Sequence, residues 1–453
     1  MSDVVRFYSD LLDATLGRVT AGMVRIVIPE PVGLHPEGVE NPGDTFQAIR
    51  SEKVGSPRRF LYGFGVIFRL SSLAVLSALL LAGCGKPAPA PPPSAPTPPP
   101  VPANALPVGA FLPLSGPQGD FGQSTVEGIK LAITQINEAG GLLKRPLHLI
   151  LRDTNSKGRE AAQLVRQLVT EDRVVALIGE ITSENSLLAA PVAAELGIPM
   201  ISPGSTHADV TKAGPGIFRV CFVDPFQGRV MSKFSSSIGV TKAAILFDPE
   251  DPYSTSLAAS FEEDFLARGG AIAAKETLAS GATDFSASLN AIKDKQPEVI
   301  YLPVYYARAA AIIKQARQLG MDQPFVGADG WESPDFLKIG GKAVDNTYFA
   351  SHFSAGEPSE RTQNFVKDYQ AAYGRDPLAL AALGYDAMNF LAEGIRRADS
   401  TEPEALRNAL AQTESFPGVT GTITLDAERN PSKSAIVIRV DAGQFNYLET
   451  VAP

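Results

Sequence analysis

The sequence predicts an α/β protein with two open, mainly parallel-sheet lobes. Two observations carry this: from residue 107 on, short apolar runs alternate with helical periods, and the alternation restarts near residue 242. The runs lack the polar alternation of a half-exposed sheet, so their strands are covered on both faces.

In the first half, strands are expected over 107–112, 147–151, 174–178 and 198–202. Helical periods lie between them over 123–138, 160–170 and 186–196, the first stopped by Gly140-Gly141. A further strand covers 217–222 and contains Cys221. In the second half, strands at 242–248, 271–277, 298–303 and 325–327 alternate with helices at 256–268, 285–294 and 307–319. The tail adds helices at 361–373, 378–397 and 404–413, then strands at 421–425 and 435–440. The lobes are assigned as 108–225 with 350–420, and 226–349 with 421–450. In open α/β sheets, ligands collect outside the carboxyl ends of the strands, so the cleft between two such lobes is the expected site.

Ahead of the folded part, Arg58, Arg59 and Arg69 precede an unbroken run of apolar and small residues over 70–81, closed by Leu81-Ala82-Gly83-Cys84. This is the layout of a secretory signal over 58–83. The run is about a dozen residues, short of the roughly 20 that span a bilayer. A cysteine directly after Leu-Ala-Gly resembles a bacterial lipoprotein signal, which makes Cys84 the expected site of lipidation. Residues 84–107 form a tether: from Lys86 to Pro107 half the residues are proline. Such a stretch favours extended polyproline II, and about 20 residues at roughly 3.1 Å each reach about 60 Å. Residues 1–57 carry mixed charge and no sustained hydrophobic period. They are read as disordered or as a start assigned too early, with initiation near Val54 or later.

Beyond the signal, about 370 residues remain, enough for two lobes of ordinary domain size. The chain carries a net charge of −9, and with no basic cluster it excludes nucleic acid as a partner. With Cys84 lipidated, Cys221 has no disulfide partner, and its apolar strand makes it a packing residue.

Four segments end strands with small polar or charged residues. The first, Leu114 to Gly122, lacks both the dinucleotide spacing and a P-loop lysine; it reads as a tight turn presenting Phe121. The second, Ile178 to Asn185, offers Ser183, and the third, Ile201 to Thr206, offers Gly204, Ser205 and Thr206. Together these make a neutral carboxylate clamp of hydroxyls and amides; singly, each reads as a cap or turn. The fourth pairs Tyr305 with Asp329, either an ammonium site or, for Asp329, a cap on the turn before Trp331. A clamp on one lobe and a carboxylate on the other match the two ends of a zwitterion. Glu180 either faces the cleft and selects a ligand side chain, or is a solvated helix-start acid.

From about Leu106 to the end the chain resembles the leucine/isoleucine/valine-binding protein family of type I periplasmic solute-binding proteins. The resemblance is carried by Asn137-Glu138-Ala139-Gly140-Gly141, Ile198-Pro199-Met200-Ile201-Ser202-Pro203 and Gln315-Ala316-Arg317. It implies a multi-strand hinge between the lobes and delivery of an amino acid, branched-chain or related, to the membrane permease of an ABC importer. Carried over by position, Ser183 and Thr206 bind the ligand carboxylate, with Gly204 and Ser205 adding main-chain contacts. Tyr305 and Asp329 take the ammonium, and Phe121 and Tyr253 are cleft aromatics. Glu180, Thr182 and Trp331 depart from the branched-chain binders, which makes Glu180 and Trp331 candidates for side-chain selectivity.

The expected protein is therefore a monomeric, non-catalytic receptor in the periplasm or on the cell surface, anchored to the membrane by lipid, without cofactor or metal. A ligand sensor for a signalling partner is the alternative role, and amides, short peptides or aromatic acids are the alternative ligands. An enzyme is disfavoured: His148, His207 and His352 are not at metal-ligand spacing, and no G-x-S-x-G elbow occurs.

Overall fold

The structure is a computed structural model and describes residues 102–453. The signal, Cys84 and the tether up to residue 101 lie outside the described residues.

The first lobe starts with β1 (Leu106–Leu112), α1 (Gly119–Glu138), β2 (Leu147–Asp153) and α2 (Gly158–Thr170). It continues through β3 (Ala176–Ile178), α3 (Ser183–Glu195), β4 (Met200–Ser202) and β5 (Ile217–Arg219). All five strands are parallel, in the order β2-β1-β3-β4-β5. The period of two along β1 decides which layer each residue joins. Leu106, Val108, Ala110 and Leu112 pack with Val126 and Ile129 of α1, while Phe111 faces Val165 and Leu168 of α2 and Ala189 of α3.

The second lobe runs through α4 (Asp224–Ser237), β6 (Lys242–Phe247), α5 (Pro252–Ala267), β7 (Ala271–Thr277) and α6 (Ser286–Asp294). It goes on with β8 (Val299–Tyr301), α7 (Tyr306–Gln318), β9 (Phe325–Gly327), α8 (Pro334–Gly340) and β10 (Thr347–Ser351). One face of this sheet, with Ile245, Tyr301 and Val326, packs on Phe234, Phe261 and Phe265 of α4 and α5. The other, with Leu246, Ile300 and Phe325, packs on Leu289 of α6 and Ile313 of α7.

The chain then returns to the first lobe as α9 (Glu360–Tyr373), α10 (Ala379–Ala398) and α11 (Pro403–Ala411). Helix α10 packs along α1 so closely that a Cβ on Gly128 would lie 1.8 Å from the Ala381 carbonyl oxygen. Three short strands, β11 (Phe416–Gly418), β12 (Gly421–Leu425) and β13 (Pro431–Ser432), form a small antiparallel sheet. The last strands, β14 (Ala435–Asp441) and β15 (Gln444–Val451), pair antiparallel on the edge of the second sheet, whose order is β15-β14-β10-β9-β8-β6-β7. The architecture is two-lobed α/β with a parallel first sheet and a mixed second one.

Two placements correct the assigned lobe limits. Thr347–Ser351 belongs wholly to the second sheet, so the return to the first lobe starts after Ser351. Residues 421–425 pair with β11 rather than with the second sheet, which the chain rejoins at Ala435. Three segments therefore cross between the lobes: one between β5 and α4, one between β10 and α9, and one through β11–β13. The buried Lys433 ties two of them, donating to the Val220 carbonyl at 3.3 Å and to the Thr420 hydroxyl.

Candidate functional site

In both sheets the loops at the carboxyl ends of the strands face one cavity between the lobes. Phe121, Ile181, Ser183 and Gly204 line it from the first sheet's loops, and Tyr253, Tyr305, Asp329, Gly330, Glu332 and His352 from the second lobe. Ala379 and Leu380, at the start of α10, close the remaining side.

On the first-lobe wall, the loop between β3 and α3 brings Ser183 to the first turn of α3, whose free backbone N–H groups suit an anion. Ser183 Oγ accepts from the His207 N–H at 3.2 Å. Gly204 leaves room beside it: an added Cβ would press on Ile181 and Leu380 at 3.0 Å. Phe121 lies in the first turn of α1 rather than on a turn, and meets Tyr305 and Tyr306 edge-on at 6.1 and 5.0 Å.

On the second-lobe wall, Asp329 follows β9. Its Oδ1 accepts from Tyr253 Oη at 2.9 Å and Gln227 Nε2 at 3.0 Å. Its Oδ2 lies 3.1 Å from His352 Nε2. Gln227 also accepts from the Asp329 N–H at 2.7 Å, and Tyr253 Oη accepts from the Gly330 N–H at 2.9 Å. The carboxylate is thus held in place on three sides, with acceptor capacity left on the cavity side. Tyr253 and Tyr305 stack at 4.7 Å and 8°. Burial first, then nearby carboxylates, push both phenols well above their ordinary range, so both stay hydroxyl donors.

Four expected residues do not line the cavity. Glu180 is fully buried beneath the β3–α3 loop. Its carboxyl accepts from the N–H groups of Ile181 and Thr182 at 2.7 and 2.9 Å, and from the Thr154 hydroxyl at 2.6 Å. It braces the loop and is neither a selector facing the cleft nor a solvated helix-start acid; burial raises its pKa. Trp331 is fully buried in the second-lobe core, stacked on Phe336 at 5.1 Å, so it does not reach the cavity. The Ser205 hydroxyl is spent within the first lobe, bonding Ser186 Oγ at 2.7 Å and the carbonyls of Glu180 and Thr182 at 3.1 Å. Thr206 is buried beside the crossing, its carbonyl accepting from the Asp224 N–H at 3.0 Å and its hydroxyl unpartnered.

The sequence reading missed Gln227, His352, Glu332 and Asp224. The first three bear on Asp329 or the cavity wall but lie in stretches left without an assigned element. Asp224 is fully buried at the start of α4 with no hydrogen bond to either carboxyl oxygen. Burial pushes it up to about 7, and the nearby hydroxyls of Thr206 and Ser256 offset this only in part. Asp224-Pro225, a first-turn signature, was the available signal for this helix. His352 sits on the second crossing, stacked on Phe222 of the first at 3.7 Å, and burial lowers its pKa.

The chain is similar in sequence and fold to known proteins. The model of the family described as periplasmic binding protein matches residues 105–444. The chain belongs to that family. Members are solute-binding proteins and not catalysts. The binding protein is 27% identical over 319 residues to the Leu/Ile/Val-binding protein BraC3 of Rhizobium johnstonii, covering 70% of this chain and 86% of the relative. Among solved structures it is similar to the leucine binding protein LivK of Thermotoga maritima, with 34% identity, a TM-score of 0.74, and coverage of 77% of this chain and 99% of that one. It is also similar to LivJ of Streptococcus pneumoniae in complex with isoleucine, with 33% identity, a TM-score of 0.73, and coverage of 77% and 100%.

Proposed function

We propose that the binding protein is the extracytoplasmic solute receptor of an ABC importer and that its cavity takes a small α-amino acid with an apolar side chain. The observation that carries this is the Asp329 carboxylate, held by Tyr253, Gln227 and His352 and facing the Ser183 end of α3 across the cavity. The ligand ammonium binds Asp329 and the Tyr305 hydroxyl; the carboxylate binds the N–H groups around Ser183 and Gly204. Phe121, Ile181, Ala379 and Leu380 leave an apolar space for the side chain. An aromatic acid without an amine brings a second anion to Asp329 with no cation to balance it. The LivJ relative, which holds isoleucine, supports the same choice.

Direct contacts between the lobes support reading the structure as the closed form. Tyr306 Oη donates to the Pro117 carbonyl at 2.7 Å, and Ser333 Oγ to Asp120 at 2.8 Å. In the full protein, lipid on Cys84 and the proline-rich tether keep the receptor near the permease as a monomer; the expected tether end at 107 is corrected by β1, which already begins at the buried Leu106. Mass analysis of the mature N-terminal peptide checks the anchor.

The test of the ligand is a thermal-shift panel of the common amino acids. A binder at about 100 times its Kd adds roughly 2.7 kcal/mol of stability. If no amino acid moves the transition, the reading fails, and amides, short peptides and aromatic acids are next.

A further inference from the structure

Glu332 is buried at the foot of the cavity, three residues after Asp329. Its Oε1 accepts from the Ala379 N–H at 2.9 Å, and its Oε2 accepts from the Ser351 hydroxyl. Ala379 is the first residue of α10, which packs along α1 in the first lobe, and Ser351 ends β10, where the second crossing begins. One carboxyl of the second lobe thus joins the opposite lobe, the crossing and the ligand cavity.

The start of α10 shows what this bond replaces. Its N-cap position is Leu378, which supplies no side-chain acceptor, and its first turn contains no acidic residue. A 20-residue helix whose own sequence leaves its first N–H groups uncapped receives an acceptor from across the cleft. Separating the lobes breaks that bond and returns the N–H groups to water. Leu380, in the same turn, also forms the apolar end of the cavity, so a side chain that displaces this turn strains the same bond.

We propose that Glu332 is a positioning residue that caps α10 in trans and so latches the closed lobes, setting how long the solute stays bound. The proposal rests on the reading of the cavity as a solute site. Burial pushes the Glu332 carboxyl up to about 7, with Asp329 adding to the rise. Asp120 and Arg375 face the adjoining void, and Asp376 a second one. Protonation preserves the latch, since Oε1 still accepts from Ala379 while the acid proton goes to Ser351 Oγ. Glutamine reproduces that pattern and alanine does not.

The experiment compares E332A and E332Q with the unaltered protein by L-isoleucine release in stopped flow and by hydrogen exchange at the Ala379 amide. Expected are about tenfold or faster release in E332A, little change in the association rate, and a deprotected Ala379 amide; E332Q should stay within about threefold of the parent. Adding Leu378→Ser to E332A gives α10 a cap of its own without the bond between lobes. A latch predicts that release stays fast, whereas recovery of slow release would reduce Glu332 to ordinary helix capping and overturn the proposal. Parent-like release and protection in E332A also overturn it. If isoleucine does not bind the parent protein, the solute reading fails for that ligand, while exchange at Ala379 still tests the bond on which the latch depends: parent-like protection in E332A overturns the proposal. Should E332A fail to fold, Ser351→Ala weakens the same carboxyl from its other side and is read by the same two measurements.

Discussion

Replacing Asp329 by asparagine keeps the size of the side chain and an acceptor for Tyr253 and Gln227, and removes the charge. In the closed cavity the carboxylate already accepts from Tyr253 at 2.9 Å and Gln227 at 3.0 Å and lies 3.1 Å from His352. An ammonium group would be the one full positive charge brought to it by the ligand. Its side chain is 12% exposed, so solvent screens the pair little. Truncating one partner of such a buried, hydrogen-bonded pair costs about 2–5 kcal/mol, or roughly 30- to 4,000-fold in Kd. The assay is calorimetric titration of D329N with L-isoleucine and with its analogue lacking the amine, after melting of the ligand-free protein shows that the variant folds. The parent protein should lose most of its affinity when the amine is removed, and D329N should lose little more, because the two deletions remove the same interaction. A D329N Kd within threefold of the parent, or equal losses from the amine in both proteins, refutes the assignment.

Stability should fall as pH rises from about 5 to 7.5. Burial holds Asp224, Asp251 and Glu332 at about 7 in the fold, above their ordinary range near 4. Their contribution is complete below about pH 4 and is lost as pH climbs through about 7. Urea midpoints check this, and a flat or rising profile, or one unchanged in D224N, contradicts it. Glu180→Ala should cost on the order of 2–3 kcal/mol of stability by orphaning the Ile181 and Thr182 N–H groups and the Thr154 hydroxyl. Its ranking of amino acids in the thermal-shift panel should match the parent's. Gly128→Ala should destabilise by about 3 kcal/mol in denaturant melts, because the methyl would strike the Ala381 carbonyl where α1 crosses α10.

Strand interiors were legible because runs covered on both faces need no alternation. The expected 271–277 and 325–327 coincide with β7 and β9, and 107–112 differs from β1 by one residue. Helix starts were placed several residues late. The reading began at 123, 186 and 256, whereas α1, α3 and α5 begin at Gly119, Ser183 and Pro252. Small, polar and proline residues in those first turns look like loop, yet these turns carry Phe121, Ser183 and Tyr253 to the cavity. Helix α4 was missed because its inner face includes Gln227, Ser232 and Ser235 and gives only a weak apolar stripe.

The local chemistry of the chain therefore determined its class, its two-lobed repeat and the strand ends where a ligand can lie. Apolar burial and turn propensity are properties of short windows, and the windows contain them. Which polar groups at those ends face the cavity was decided only by the tertiary structure. Glu180 and Trp331 turn into their own lobes, while Asp329 meets Gln227 and His352 from residues 102 and 23 positions away. Glu332 finds its partner at the start of a helix in the other lobe. A polar side chain's role depends on the donors and acceptors that packing brings to it, and those partners are far apart in sequence.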